Sequence, residues 1–596
     1  MRLEYYLRPV VIFFGLYLVL IFLFSSFLLK KDSYLPDADV LKSKKRFCGY
    51  VISYPLKSNK NYYFYFESDN HNLVVRSDID FKFNLYEEIC FEGEVKEPEN
   101  YNPEGNFNWI DYLKRKNIYY EVKLKKILSR KDSPIIFYFS GKLRQEIKKN
   151  FKKRFSGDAL AVINGIFLGE KSELSKTLRR AITNCGAMHI LVASGFHVSY
   201  MFGIIFFAIR IIGFNFKNAR FIAGVFVLLY VFLVGLNPPI VRSYIMLLFV
   251  LVSFALKKNT DVLHPIIVSA FVMLLINPLL IYDSSFLMSF VSIYGIVVGY
   301  LNYEKYINFS FFENIISFRY SKKLISFLNI IFSTMAVTFF AQIALLPVTL
   351  PMFYKIYPIS LISNLILIPL AMIIITILMI WLPFSFWDQG DLVALILDKV
   401  VLGFINVSYF FSSLKFSSVY FYFPNSIFMI FFVIFILLIL HLPILDFKKA
   451  TLKAFIFFIL IGLIVSYNWV EKKENDICFE NYGTKGCIVF KNGKVYLINP
   501  VIDADKIANS VFYSKHKNID YILISSKKGL RKNIIKELKE IFNIKDIYLP
   551  LWLCKEGEKC VFGDEKYDDF YVKFRKTFGY FNVYSEVNYC FDDECY

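Results

Sequence analysis

Hydrophobic and polar positions divide this chain into long apolar runs and shorter stretches with strand-like or helix-like alternation. The first run, 9–28 (PVVIFFGLYLVLIFLFSSFL), is uncharged and follows Arg2 and Arg8. A helix of that length reaches across a bilayer. It is too long for a signal-peptide apolar core and no A-x-A site follows, so it reads as an uncleaved anchor. Apolar runs recur near 186–209, 221–236, 240–256, 264–282, 286–302, 328–350, 358–384, 393–413, 425–445 and 454–470. With the first, about eleven spans are expected, and the fold class is a polytopic α-helical membrane protein.

Three regions break the apolar pattern. Residues 45–127 alternate strand-like runs (CGYVISY, NYYFYFE, EICFEGEV, YYEVKLKKI) with turn residues, which predicts a small β-barrel or sandwich of about five strands. Residues 140–155 place Leu143, Ile147, Phe151 and Phe155 along one side of a helix; Lys142, Arg144, Lys148, Lys149, Lys152, Lys153 and Arg154 fill the rest. That pattern fits an interfacial helix lying on anionic lipid, or a phosphate-contacting element near a pore mouth. Residues 476–596 mix strands (GCIVFK, KVYLINP, YILIS) with a helix over Leu530 to Phe542, an α/β domain. The expected divisions are an anchor (1–29), a β domain (30–135), an amphipathic helix (136–160), a membrane domain (161–470) and an α/β domain (471–596).

Charge then supplies an orientation. With the N-terminus cytoplasmic, the short inner loops hold Arg210, Lys217, Arg220, Lys257, Lys258, Lys305, Arg319, Lys322, Lys323, Lys448, Lys449 and Lys453. The short outer loops hold only Lys355 and Lys415. The asymmetry puts the N-terminus inside and both soluble domains, with the C-terminus, on the extracytoplasmic side of an inner (plasma) membrane. The net charge of +19 suits an anionic partner, nucleic acid or lipid headgroups. The excess lies in the N-terminal soluble part (26 Lys and Arg against 18 Asp and Glu in residues 30–157) and the membrane loops, whereas residues 471–596 are balanced at 21 against 20. Aromatic residues make up 19% of the chain, so no single aromatic cluster carries weight by itself.

Cysteine placement agrees with that orientation. Cys48 and Cys90 lie in the first soluble stretch; Cys478, Cys487, Cys554, Cys560, Cys590 and Cys595 lie in the last. Even numbers without C-x-x-C spacing predict disulfides within each domain and an oxidising exterior. Cys185 is left over as the free thiol.

Four colinear segments carry a resemblance. The stretch from Leu168 to Gly203 contains a Cys185-Gly186, His189, Ser194-Gly195-x-His197-Val198 core. GLNPPIVRSYIM (Gly235 to Met246) places Arg242 after Pro238-Pro239. NPLLIYDSSFLMSFVSIYGI (Asn277 to Ile296) and AQIALLPVTLPMFYKIYPISLISNLILIPL (Ala341 to Leu370) follow in order. Together they resemble the ComEC-type competence protein family, with Cys185 where Thr is usual and Met288 where Leu is usual. NPEGNFNWIDYLKRKNIYYEV, from Asn102, is similar to the tail of that family's OB-like domain. The resemblance implies a channel or permease conducting single-stranded DNA into the cytoplasm during natural transformation. A transporter of another anionic polymer or a lipid-linked substrate on the same membrane core is the alternative.

The candidate path residues are His189, Ser194, Gly195, His197, Arg242, Gln342 and Asn364. Two His, a Ser and a Gly within nine residues of an apolar run point to a helix break lining a polar path. Arg242 would snorkel to the outer surface or attract phosphate at an outer mouth. Asp283 reads as a loop cap, and Gln342 and Asn364 as inter-helix hydrogen-bonding groups. Tyr62, Phe64 and Phe66 would either stack single-stranded bases or pack the β-domain core. Lys148, Lys149 and Lys152 are candidate phosphate contacts.

The family's C-terminal region is often metallo-β-lactamase-like, with Asp-x-Gly and Thr-His-x-His-x-Asp-His ligands. Here Asn499-Pro500 and Ser525-Ser526 stand in those places, Lys527, Lys528 and Gly529 follow, and His516 is the one histidine after 471. A binuclear site needs several imidazoles, so no metal, cofactor or nuclease activity is expected and the domain reads as a degenerate scaffold. No P-loop is present to couple ATP. The implied partners are therefore single-stranded DNA, membrane lipid, a periplasmic DNA-receptor protein and a cytosolic helicase-type motor.

Overall fold

The computed structural model describes residues 45–548 apart from 59–60, 69–70, 80, 101, 117, 192–194, 237, 256–262, 308–320, 388–389, 422–425, 442–449, 469–474, 482–483, 492 and 525–530, with the short pieces 561–562, 565–566, 590–591 and 594–595. The expected anchor at 9–28, Ser194, Ser525 to Gly529, Cys554 and Cys560 lie outside the described residues.

The N-terminal domain is a five-strand barrel. Strands β1 (Arg46–Val51), β3 (Asn61–Ser68), β4 (His71–Ser77), β5 (Glu88–Lys96) and β6 (Ile118–Lys131) close in the order β1-β3-β4-β6-β5-β1, while β2 (Leu56–Ser58) flanks β3. The β4–β6 pair is parallel and the other pairs of the ring are antiparallel. Period-two alternation sends Phe47, Phe64, Phe66, Phe91 and Val122 inward, all at 1% exposure or less. A disulfide joins Cys48 to Cys90, which face each other across β1 and β5, as expected. Helix α1 (Trp109–Lys114) precedes β6; the Asn108 side chain accepts from the backbone N–H of Ile110 and Asp111 and starts it.

Helix α2 (Ile135–Arg154) leads into the helical body and begins five residues before the sequence pattern placed it. Helices α3 (Gly157–Leu168) and α4 (Lys176–Asn184) follow, the latter started by Ser175 Oγ, which accepts from Leu178 N at 3.2 Å. Then come a 3-10 turn (Met188–Leu191), α5 (Gly195–Ile211), α6 (Phe216–Val234), α7 (Pro238–Ala255), α8 (Leu263–Ile276) and α9 (Ser284–Ile307). The last five are α10 (Ser321–Phe353), α11 (Ser360–Ser385), α12 (Asp391–Ser412), α13 (Ser426–His441) and α14 (Ala450–Asn468). Every later apolar run therefore meets a helix. Among the described residues, four helices are by length and composition able to cross a membrane: Phe216–Val234, Ser326–Phe353, Ser360–Ser385 and Asp391–Ser412. Shorter apolar helical stretches among them include Gly195–Ile211, Pro239–Ala255 and Ser284–Tyr300. Helix α3 was not foreseen, because twelve apolar residues fall below a spanning length.

The largest core unites α2, α3, α4, α5, α6, α11 and α12, with Trp381, Phe404, Phe151 and Leu378 fully enclosed. Pairing of β7 (Lys355–Ile356) with β8 (Val419–Tyr420) ties the α10–α11 and α12–α13 loops together.

The C-terminal domain is α/β, as expected. Its sheet runs β13-β12-β11-β10-β9, with β9 (Ile477–Asn481), β10 (Thr484–Lys491) and β11 (Lys494–Ile498) antiparallel, and β12 (Tyr521–Leu523) and β13 (Asp546–Tyr548) parallel to β11. Helices α15 (Ala504–Tyr513) and α16 (Lys532–Ile541) make the crossovers that parallel strands require. A second disulfide joins Cys478 to Cys487, and Cys185 is free and buried. Backbone pairing sets Cys590 opposite Cys595.

Candidate functional site

Both domains sit at one end of the helical body. Arg115 Nη1 donates to the Tyr282 carbonyl at 2.9 Å, and the ring of Tyr54 packs beside Gly235. Helix α15 is held from two sides. From the barrel, Asn106 Nδ2 donates to the Lys506 carbonyl (2.9 Å), Ser510 Oγ to the Glu104 carbonyl (2.6 Å) and Lys506 Nζ to Asn102 Oδ1 (2.8 Å). From the body, Lys355 Nζ donates to Asp505 at 2.9 Å and the Tyr420 hydroxyl donates to the same carboxylate. Arg180 on α4 lies 3.6 Å from Asp505 and pairs with Glu537. Burial alone would raise the Asp505 carboxyl, but Lys355, Tyr420 and Arg180 outweigh it and hold it below the usual carboxylate range. The same charge, added to burial, pushes the Tyr420 hydroxyl up.

Beneath these domains the four motif segments meet. A Cβ at Gly186 (φ +73°) would lie 2.5 Å from Ser360 Cβ, so only glycine suits that turn. Ser363 Oγ donates to the Cys185 carbonyl at 2.7 Å, and Gln342 bonds Ser360 across α10 and α11. A Cβ at Gly195 would stand 2.8 Å from Ser243 Oγ, the neighbour of Arg242. The Arg242 guanidinium lies 5.8 Å and 5.7 Å from the ring centroids of Phe286 and Phe290. First, second, third and fourth segments are thus joined in one junction.

The structure assigns the candidate residues unevenly. His189 is exposed, its Nδ1 3.0 Å from the Gly186 carbonyl, in the 3-10 turn before the helix that restarts at Gly195; His197 is fully buried. Arg242 corrects the sequence reading: it is 1% exposed, neither snorkelling nor open at a mouth, and its Nε and Nη1 have no hydrogen-bond partner among the described residues. Asn364 is buried with Oδ1 unpartnered among them, whereas Gln342 makes the inter-helix bond expected of it. Asp283 caps α9, accepting from Phe286 N at 2.8 Å. Lys148 is committed to Glu170 at 2.7 Å, whereas Lys149 and Lys152 are exposed.

In the barrel, Phe64 and Phe66 are core residues and offer no stacking face, and Tyr62 shares their side of β3. The available rings lie on the opposite side. Tyr63 meets Trp109 edge-on (5.8 Å), Trp109 stacks on Tyr112 (5.5 Å), and Phe107, 53% exposed, leans on Tyr112 (5.3 Å). Lys116 Nζ sits 4.3 Å and 4.7 Å above the Tyr65 and Tyr112 rings. Sequence reasoning singled out the NFNWIDYLKRK segment but not this patch; the odd-numbered tyrosines of β3 and the first turn of α1 were its signal.

In the C-terminal domain, Asn499 ends β11 with φ +46° and donates its amide to the Lys485 carbonyl at 3.2 Å. His516 stacks on Phe490 at 4.6 Å within the core.

A body of apolar helices bearing two domains at one end defines a membrane protein. The comparison with known families narrows the class: the model of the family described as Competence protein matches residues 166–445, the span that contains all four segments. Over that span the chain is similar to the Competence protein family, the family its four segments resemble. It is 23% identical over 207 residues to ComE operon protein 3 of Bacillus subtilis (strain 168), covering 35% of this chain and 27% of that protein. It is 30% identical over 165 residues to an uncharacterized protein of Aquifex aeolicus (strain VF5), covering 27% of this chain and 39% of that one. The matches thus span well under half of either relative. No solved structure matches the chain.

Proposed function

We propose that this protein is an inner-membrane conduit that takes single-stranded DNA from the extracytoplasmic side into the cytoplasm during natural transformation. The observation that carries the reading is the junction in which four competence-family segments meet around Gly186, Gly195 and Arg242, inside a body matched by the family model. An ionisable residue held inside a membrane body without a charged partner is costly and commonly marks a transport path. The lysine asymmetry of the loops puts both domains outside. The contact of Lys355, an outer-loop lysine, with Asp505 of the C-terminal domain agrees with it.

The barrel's strand order supports an OB-like domain, and the Tyr63–Trp109–Tyr112–Phe107 patch under Lys116 suits stacked bases and a phosphate chain. The C-terminal domain serves as a non-catalytic scaffold: Asn499 and His516 are spent on backbone and ring contacts. Energy for import comes from a cytosolic helicase-type partner, and donor DNA from a receptor outside. The test is transformation of a deletion strain with double- and single-stranded donor DNA. Loss of both, restored by the intact chain, is expected. Normal transformation without the protein would assign it another anionic polymer or a lipid-linked cargo.

A further inference from the structure

We propose that α2 and α3 form a re-entrant hairpin traversing the membrane body, and that the charged stripe of α2 lines the water-filled path of the polymer. The first half stands on contacts alone; the second rests on the conduit reading above.

Helix α2 starts at the domain-bearing end. Phe137 packs on Tyr86 of the barrel (4.6 Å) and on Phe232 near the end of α6 (5.5 Å), and Arg144 Nη1 donates to the Leu233 carbonyl at 2.7 Å. It finishes at the other end. Asn150 Nδ2 donates to Ser385 Oγ (3.2 Å), Phe155 beyond its last turn packs on Trp381 (5.4 Å), and Arg154 pairs with Asp391 at 2.6 Å. Trp381 and Ser385 close α11 and Asp391 opens α12, both of membrane-crossing length. The opposite end of α11 holds Ser360 and Ser363 against Gly186 and Cys185. Twenty residues at 1.5 Å each reach about 30 Å, the thickness to be crossed. Helix α3 returns with nine of its residues buried and delivers Glu170 to Arg144 (2.6 Å) and Lys148 (2.7 Å).

That placement gives the outer face of α2 a physical problem. Phe139, Lys142, Glu146, Lys149 and Lys153 recur at helical spacing and all are exposed. Glu146 and Lys149 lie 3.5 Å apart with side chains 47% and 63% exposed, near the middle of the helix. Lysines near helix ends reach headgroups with their long stems, but a glutamate at mid-depth does not. A charge against hydrocarbon costs about 2.5–3.5 kcal/mol at the centre of a span. The stripe therefore faces water. Its excess of lysine, Lys142, Lys149 and Lys153 against Glu146, fits a linear polyanion moving along the helix axis.

Cysteine accessibility in the full-length protein in intact cells and in inverted vesicles decides it. Glu146→Cys and Lys149→Cys should react with membrane-impermeant methanethiosulfonates at rates within about tenfold of an exposed loop, while Leu395→Cys on the apolar face of α12 does not react. Ser156→Cys, between α2 and α3, should react in inverted vesicles and not in intact cells. A helix lying flat on the outer leaflet would reverse that last result and overturn the hairpin, as would an unreactive Glu146→Cys. An added single-stranded oligonucleotide engaged in uptake should slow modification of Lys149→Cys several-fold. Accessibility without such protection, in cells that still take the oligonucleotide up, would leave the hairpin and the cargo standing and overturn the stripe's role as the polymer's wall.

Discussion

Two arginines are buried among the described residues, and their surroundings are opposite. Arg144 is held at every side: Glu170 accepts from Nη2 at 2.6 Å, the Leu233 carbonyl accepts from Nη1 at 2.7 Å, and the guanidinium lies 4.4 Å over the Tyr54 ring. Arg242, equally enclosed, has two phenylalanine rings beside it and lacks hydrogen bonds at Nε and Nη1 among the described residues. A paired buried charge is a structural clasp, because removing either partner strands the other. A buried guanidinium with donors unspent is costly to folding, and such local conflicts concentrate at functional sites. The pair separates what builds the body from what the body is for.

The largest effect expected from that comparison is on the clasp. Glu170→Gln leaves Arg144 buried and short of its carboxylate, and should destabilise the protein by about 3–5 kcal/mol. Thermal unfolding in detergent checks it; an unchanged midpoint would mean the cluster is relaxed or solvated. Arg242→Met should move the other way, with stability unchanged or raised while DNA import falls at least tenfold. Equal loss of stability and import would make Arg242 a second clasp.

Smaller effects should appear where α15 is gripped. Asn106→Ala removes the side-chain hydrogen bonds to Lys506, Ser510 and Asn509 that join barrel and C-terminal domain, and should weaken docking by about 1–2 kcal/mol. Cross-linking between engineered cysteines on the two domains reads this out. The Asp505 contacts predict a pH dependence. A carboxylate held below its ordinary value stabilises docking at all pH above that value, and the contribution is lost as pH falls through the depressed one. Docking should therefore be flat from about pH 8 to 5 and weaken only below about pH 4, the ordinary aspartate range. Asp505→Asn should abolish that acid response, whereas a transition near neutral pH would implicate another group.

How much was legible in the sequence follows from which forces act locally. Apolar runs, loop lysines, paired cysteines and the Asp283 cap are written in neighbouring residues; helices meet the later apolar runs, Cys48–Cys90 and the cap appear where expected, and Cys478–Cys487 is one pair of a set whose connectivity the sequence leaves open. Period two told that Phe64 and Phe66 share a face but not which face is inside; ring closure by β6 decides that. Helix α2 reads as interfacial because its charges are visible and its partner is not: Glu170, Ser385 and Asp391 stand 16 to 237 residues beyond its end. The burial of Arg242 was equally hidden, since Phe286 and Phe290 close over it from another segment.

The central claim is that imported DNA passes the junction where the four segments meet. Photo-crosslinking during uptake tests it most directly, with a benzophenone amino acid in place of Phe290 beside Arg242 and, separately, in place of the exposed Phe107 on the barrel. The account predicts crosslinks to the incoming single strand from both positions. Crosslinks from Phe107 with none from Phe290, in protein that is stable and supports import, would contradict it.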